Sequence, residues 1–234
     1  MLTNLLQSTR SLIILPGLVA ILATGCTANT KANIADQSVT APPAVTAAIP
    51  EKVAQNHGGM NHGSSHNMDL GAADANYELR FIDGMTPHHQ GALVMAKEVL
   101  QKSQRPELRK FATQILADQQ KEISQMQKWR KAWYPKAGTE LMGWHADANH
   151  MMAMTPTQIS SMRMDQSLGK ADNQFDLRFL NAMIPHHEGA LTMAKALQEK
   201  SQRPEMKQLA GNIITSQQAE IDKMQQWRKA WYGK

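Results

Sequence analysis

The sequence predicts an all-α protein, a ferritin-like four-helix bundle made of two copies of one helical hairpin. Three observations carry that prediction. Asp74–Tyr134 aligns with Asp172–Tyr232 at a constant offset of 98, without gaps, and 34 of 61 positions are identical. Apolar residues recur within each copy at three- and four-residue steps, the helical period. Proline and glycine concentrate in two stretches, which leaves the rest free to run as continuous helix.

Residues 1–26 read as a processing signal. Arg10 precedes an apolar run from Leu12 to Ala23, too short to span a bilayer as a mature helix. Ala23-Thr24-Gly25-Cys26 resembles a bacterial lipobox and offers Cys26, the single cysteine, for a lipid anchor. Ordinary cleavage nearby is the alternative. Either route exports the chain, and no second cysteine exists for an intrachain disulfide.

Residues 27–71 are Ala/Thr/Pro-rich and then Gly/His/Asn-rich, without helical period, and are expected to form a flexible tether. Within it His57, Met60, His62, His66 and Met68 place five potential metal ligands in twelve residues. A polar spacer would carry the histidines but gives no reason for methionines in step with them.

Residues 72–134 form the first hairpin. Tyr77–Ser103 is its first helix, interrupted by Pro87, which predicts a kink or short break just before His88. Gln104-Arg105-Pro106 is the turn, with Pro106 suited to the first position of the next helix. Glu107–Trp133 is the second helix, and its basic end complements the helix dipole. Residues 172–234 repeat the unit. A lone hairpin would expose its apolar stripe, so the two copies are expected to bury their stripes against each other. Trp129, Trp133, Trp227 and Trp231 are expected to pack at the hairpin ends. The connector, 135–171, contains His145, His150, Met151, Met152 and Met154 among small and polar residues, a second candidate capture cluster. Thr155-Pro156 opens a short helix through Met164, with Met162 and Met164 divided between core and ligand roles.

The chain carries 16 methionines and nine histidines, all the latter between His57 and His187, and a net charge of +5 with basic residues interspersed among Glu and Gln. No nucleic-acid stripe is present in that pattern.

Each copy contains Met-x-x-His-His. At about 100° and 1.5 Å per residue, His88 and His89 flank the direction of Met85, while Met95 lies about 15 Å further along the axis. Met85 and Met95 therefore cannot share one ion. With the turn near Gln104–Arg105, residue n faces roughly residue 209 − n, which puts Glu122 and Met126 level with the motif. The expected constellation is Met85, His88, His89 and Met126, with Glu122 accepting an imidazole N–H. Its repeat is Met183, His186, His187 and Met224, with Glu220. Met95 and Met193 belong either to a further ion with His88 and His186 or to the core. Thioether with neutral imidazole suits Cu(I), and Ag(I) as its mimic, far better than Mg, Ca or structural Zn.

Phe-x-x-x-Met-x-x-His-His-x-Gly-Ala-x-x-Met-Ala, the later Gln-x-x-Glu-Ile-x-x-Met and a Met-rich segment ahead of the second copy resemble the CopM-like family of bacterial periplasmic copper-binding proteins, defined as a domain of unknown function. The resemblance covers both repeats. It implies an extracytoplasmic protein for copper sequestration, resistance or transfer, with metal ions as ligands and an envelope copper exporter or sensor as the kind of partner. Asp83-Gly84-Met85-Thr86-Pro87 departs from the more typical Asn181-Ala182-Met183-Ile184-Pro185. Gly84 predicts a weaker helix and a looser site in the first copy. Two other classes compete. A di-iron oxidase bundle needs Glu-x-x-His pairs, and the sequence has none. A structural or signalling bundle would use the same His and Met for packing alone.

Overall fold

The computed structural model describes residues 68–234. The leader with Cys26, and His57, Met60, His62 and His66 of the tether, lie outside the described residues. The elements in order are α1 (Tyr77–Lys102), α2 (Pro106–Trp133), β1 (Met142–His145), β2 (His150–Ala153), α3 (Pro156–Arg163), α4 (Phe175–Lys200) and α5 (Pro204–Tyr232).

The fold is an all-α four-helix bundle. α1–α2 and α4–α5 are the two hairpins, turned over Ser103–Arg105 and Ser201–Arg203, with Pro106 and Pro204 opening the second helices. Both turns close in the same way. The Ser103 N–H donates to Val99 O and the Ser201 N–H to Leu197 O, each at 2.9 Å. Of the expected kink or short break, the break does not occur: α1 runs unbroken through Pro87 and α4 through Pro185. A mid-helix proline removes one backbone hydrogen bond and crowds the preceding turn. Burial on both sides offsets that cost: Ile82, Met85 and Ala92 are fully buried around Pro87.

The hairpins meet through α1 and α4. The buried clusters show how. One joins Met95, Val99, Leu108 and Ile115, from the turn end of the first hairpin, to Phe175, Phe179, Met183, Ile221 and Met224, from the open end of the second. The other joins Tyr77, Phe81, Met85 and Met126 to Met193, Leu197, Met206 and Ile213. Each open end thus packs on the partner hairpin's turn, and α1 runs antiparallel to α4. The tryptophans lie at these ends. Trp129 stacks on Trp133 and Trp227 on Trp231, each with centroids 5.1 Å apart. Arg105 lies over Trp231 at 4.2 Å and Arg203 over Trp133 at 4.4 Å, so each hairpin's turn is pinned to the other's last helix. No helix among the described residues is long and apolar enough to cross a membrane.

The repeat begins earlier than Asp74. Arg80 Nε donates to Leu70 O, and its other nitrogens reach Ala72 O and Asp74. Arg178 does the same with Leu168 O, Lys170 O and Asp172. Gly71 and Gly169, with φ of +74° and +76°, turn the chain at matching points. The signal was in the sequence as Leu70-Gly71-Ala72-Ala73-Asp74 and Leu168-Gly169-Lys170-Ala171-Asp172. The end of the expected tether is therefore part of the bundle: Met68 and Leu70 are 7% and 4% exposed.

The connector holds the expected short helix, α3, capped by Thr155 through a capping box with Gln158. It also holds a β-ribbon that helical periodicity gave no reason to expect. β1 and β2 pair antiparallel with His145 opposite His150, Trp144 opposite Met151 and Gly143 opposite Met152. Connector and α1 are joined by Asp83, which accepts from Arg130 Nε at 2.5 Å and from the Met142 N–H at 2.9 Å. Gly84 lies beneath α3, and a Cβ there would be 3.5 Å from Met162 Cε. Met164 closes α3 at φ +49°. A methionine in this left-handed conformation, where glycine is the usual choice, costs about 1–2 kcal/mol.

Candidate metal centre

The Met-x-x-His-His motifs lie at the middle of α1 and α4, where the two helices cross. His88, His89, His186 and His187 are all fully buried. A mid-helix position fixes the direction of each ring, and adjacency sends neighbouring rings apart by about 100°. His88 and His186 point toward each other, with centroids 3.9 Å apart, while His89 and His187 point outward to their own hairpins.

His89 Nε2–H donates to Glu122 Oε2 at 2.7 Å, and His187 Nε2–H donates to Glu220 Oε2 at 2.7 Å. Each bond joins the two helices of one hairpin. A proton held on Nε2 leaves the Nδ1 lone pair free, and neither Nδ1 has a hydrogen-bond partner. His186 Nε2–H donates to His88 O at 3.0 Å and to Arg163 O at 3.1 Å, leaving its Nδ1 unpartnered as well. His88 has no partner at either nitrogen. An unsatisfied buried polar group costs about 1–3 kcal/mol. Such a set in one place leaves lone pairs that a water or a metal ion would satisfy.

Electrostatics keep these lone pairs available. Burial, which penalises the imidazolium, pushes His186 down to about 3, helped by His187 and His89 and opposed by the carbonyls of Arg163 and His88. Burial first, then His186, His89 and His187, holds His88 well below the ordinary histidine range. Both rings are neutral at any physiological pH. Nearby, burial raises the Asp83 carboxyl against the lowering effect of Arg130 and the Met142 N–H.

The thioethers complete the surroundings. Met85, Met95, Met126, Met183, Met193 and Met224 are all fully buried. The expectation of two separate constellations, one per hairpin, needs revision in the packing. The motifs are brought together at His88–His186, and the antiparallel crossing exchanges methionines between them. Met193 joins the cluster of Met85 and Met126, and Met95 joins that of Met183 and Met224. Met95 is remote from Met85 along α1 and packs instead in the cluster that holds Met183 and Met224 of the other repeat. A one-helix geometry does not reveal this, because it depends on how the hairpins cross.

The ribbon divides the connector cluster. Alternation puts His145, His150 and Met152 on one face and Met151 with Trp144 on the other. His150 Nδ1–H donates to Ala148 O at 2.8 Å, and Met152 is 42% exposed. Met154 packs beside Gly143 instead. Among the described residues, no group of three or more His, Cys, Asp or Glu side chains stands ready as an ion site, so any metal held here depends on thioethers.

Comparison with known proteins places this arrangement. CopM in its Cu(II)-bound form is similar with a TM-score of 0.55 and 40% identity, covering 66% of this chain and 97% of that one. CopM in an Ag-bound form obtained by soaking gives 0.52 and 37%, over the same shares. CopM in the Cu(I)-bound form gives 0.50 and 38%, again over 66% and 97%. An uncharacterized protein of Acanthamoeba polyphaga mimivirus is 51% identical over 49 residues, 21% of this chain and 32% of its own, so the chain spans about a third of that protein. The model of a domain of unknown function, DUF305, matches residues 78–228, which take in both hairpins and everything between them. The chain belongs to the DUF305 family.

Proposed function

We propose that the protein is an exported bacterial copper-binding protein that takes Cu(I), with Ag(I) as its mimic, into the core of the bundle and sequesters it or hands it on within the cell envelope. The observation that carries this reading is the set of buried imidazole nitrogens without partners, surrounded by buried thioethers. Neutral imidazole and thioether are soft-to-borderline ligands, and no carboxylate hydrogen-bonds the free Nδ1 atoms. One group of ligands is Met85, His88, His89, Met126 and Met193. The other is Met183, His186, His187, Met224 and Met95. Glu122 and Glu220 orient the outer histidines and fix their tautomer. The copper- and silver-bound forms of CopM, at 37–40% identity, support the same chemistry.

The role is binding rather than catalysis. Residues 1–26 act as the export signal, with Cys26 as the lipid attachment point. The tether histidines and methionines and the ribbon's His145, His150 and Met152 collect ions outside the bundle. An envelope copper exporter or sensor is the partner that would take them.

Titration of the purified chain with Cu(I) against a competing chelator tests the core. The expected result is tight binding that disappears when Met85, His88, His89, Met183, His186 and His187 are all replaced by alanine, with helicity checked by circular dichroism. Equal binding by both proteins would leave only a structural bundle. Copper tolerance of cells lacking the gene tests the envelope role, and unchanged tolerance counts against it.

A further inference from the structure

His88 and His186 occupy equivalent positions, yet their Nε2 atoms meet different things. The space beside the Gly91 Cα is filled by Arg163 O, to which His186 Nε2–H donates. Beside Gly189 the three nearest atoms are all side-chain atoms. There, the point where a side chain would begin is 3.2 Å from His88 Nε2, 3.4 Å from Met164 Sδ and 3.4 Å from Met68 Cε. Three soft-ligand side chains from three separate segments converge on a glycine. One of them is a fully buried imidazole with no hydrogen-bond partner. Met68 and Met164 also line a cleft of about 890 Å³ with Pro185, Gly189 and Arg228, so they stand between solvent and His88.

We propose that Met68, Met164 and His88 Nε2 form an additional site for a soft monovalent cation, Cu(I) or Ag(I), through which ions enter the histidine core. The site rests on the copper reading of the bundle and adds an entrance to it. Met164 belongs to neither Met-x-x-His-His motif; its backbone is left-handed and its Sδ lies 3.4 Å from the point where a Gly189 side chain would begin. A residue kept in that conformation without being glycine has a side chain that is needed. Met68 arrives from the end of the tether, so ions gathered by that segment reach this point first. As a neutral imidazole His88 has one lone pair: with its proton on Nδ1 it presents Nε2 to the entrance without giving up any hydrogen bond, and the first core group then holds its ion through Met85, His89, Met126 and Met193. His186 cannot, because its Nε2 proton is shared between two carbonyls. The entrance therefore exists on one side of the bundle only.

The test uses the full chain labelled with ¹³C at methionine methyls and titrated with Ag(I). Met68 and Met164 methyl resonances are expected to shift together, and a Met68→Leu/Met164→Leu variant is expected to bind one ion fewer while its core methionines still respond. If Met85, Met126, Met183 and Met224 shift while Met68 and Met164 stay still, the entrance is overturned and the copper core stands. If no methionine of the bundle responds, both fail. Unchanged stoichiometry in the double leucine variant also overturns the entrance, since leucine preserves the packing volume but offers no sulfur.

Discussion

The two repeats share 34 of 61 aligned residues and the same backbone course, yet they are not equivalent. The first hairpin is tied to the connector. Asp83 binds both Arg130 and the Met142 backbone, and α3 lies over Gly84. In the second hairpin the equivalent residue is Asn181, which meets Arg228 only at 3.4 Å in an exposed position. Beside the crossing, a backbone carbonyl stops His186 Nε2 while thioethers face His88 Nε2. Duplication supplies the same Met-x-Pro-His-His-x-Gly-Ala face twice. One unduplicated connector then makes one side closed and the other open.

Four measurements test this difference between the hairpins. The largest effect is expected at the latch. Asp83→Ala leaves the Arg130 guanidinium, 18% exposed, facing an empty buried position, and should cost about 3 kcal/mol in urea unfolding. Asn181→Ala should cost no more than about 0.5 kcal/mol. Equal losses would show that the connector adds nothing to the first hairpin.

Acid is next. His186 titrates at about 3 when folded and in the ordinary histidine range when unfolded, so between those values the unfolded chain binds the extra proton. Stability of the metal-free protein should therefore fall steadily as pH drops from about 6.5 toward 3, and be insensitive to this group at neutral pH. His186→Gln should flatten the slope of the urea midpoint against pH. An unchanged slope would mean that the burial of this ring is not what acid attacks.

Orientation of the outer histidines gives a smaller change. Glu122→Gln and Glu220→Gln each replace a charged acceptor by a neutral one, and Cu(I) affinity should drop about tenfold or somewhat more, measured by chelator competition. Matching losses would establish that the two outer histidines act alike despite the lopsided connector. A loss confined to one would assign the metal to one side.

The smallest effect concerns Gly84. α3 lies over Gly84, and the space between is ordinary contact distance, not a clash. Gly84→Ala should raise stability by about 0.5–1 kcal/mol, read as a higher Tm, while Ala182→Gly lowers it by a similar amount. Destabilisation by Gly84→Ala would show that α3 needs a closer approach than the contacts suggest.

Much of the site was legible in the chain. Helical geometry with a turn at Gln104–Arg105 is enough to pair His89 with Glu122 and His187 with Glu220, because both partners lie within one hairpin and the separation is short. Thr155 and Pro156 announce α3 by their capping chemistry. The β-ribbon escaped because its strands are four residues each, too short for alternation to stand out among methionines. Met68 and Leu70 escaped because a Gly/His/Asn-rich run masks two apolar residues whose burial depends on Arg80, ten residues further on.

The repeat, the four long helices, the inward Met-x-x-His-His faces and the carboxylate behind each outer histidine can all be read from the chain. All are set by local periodicity and by contacts across one tight turn. The packing of the hairpins sets the antiparallel crossing of α1 and α4 at the motifs, so that His88 meets His186 and each repeat's second methionine packs in the other's cluster. It also decided that Arg163 O closes one side while Met68 and Met164 face the other. These outcomes join segments up to about a hundred residues apart, and no periodicity within one helix carries information about which other helix its buried face will meet.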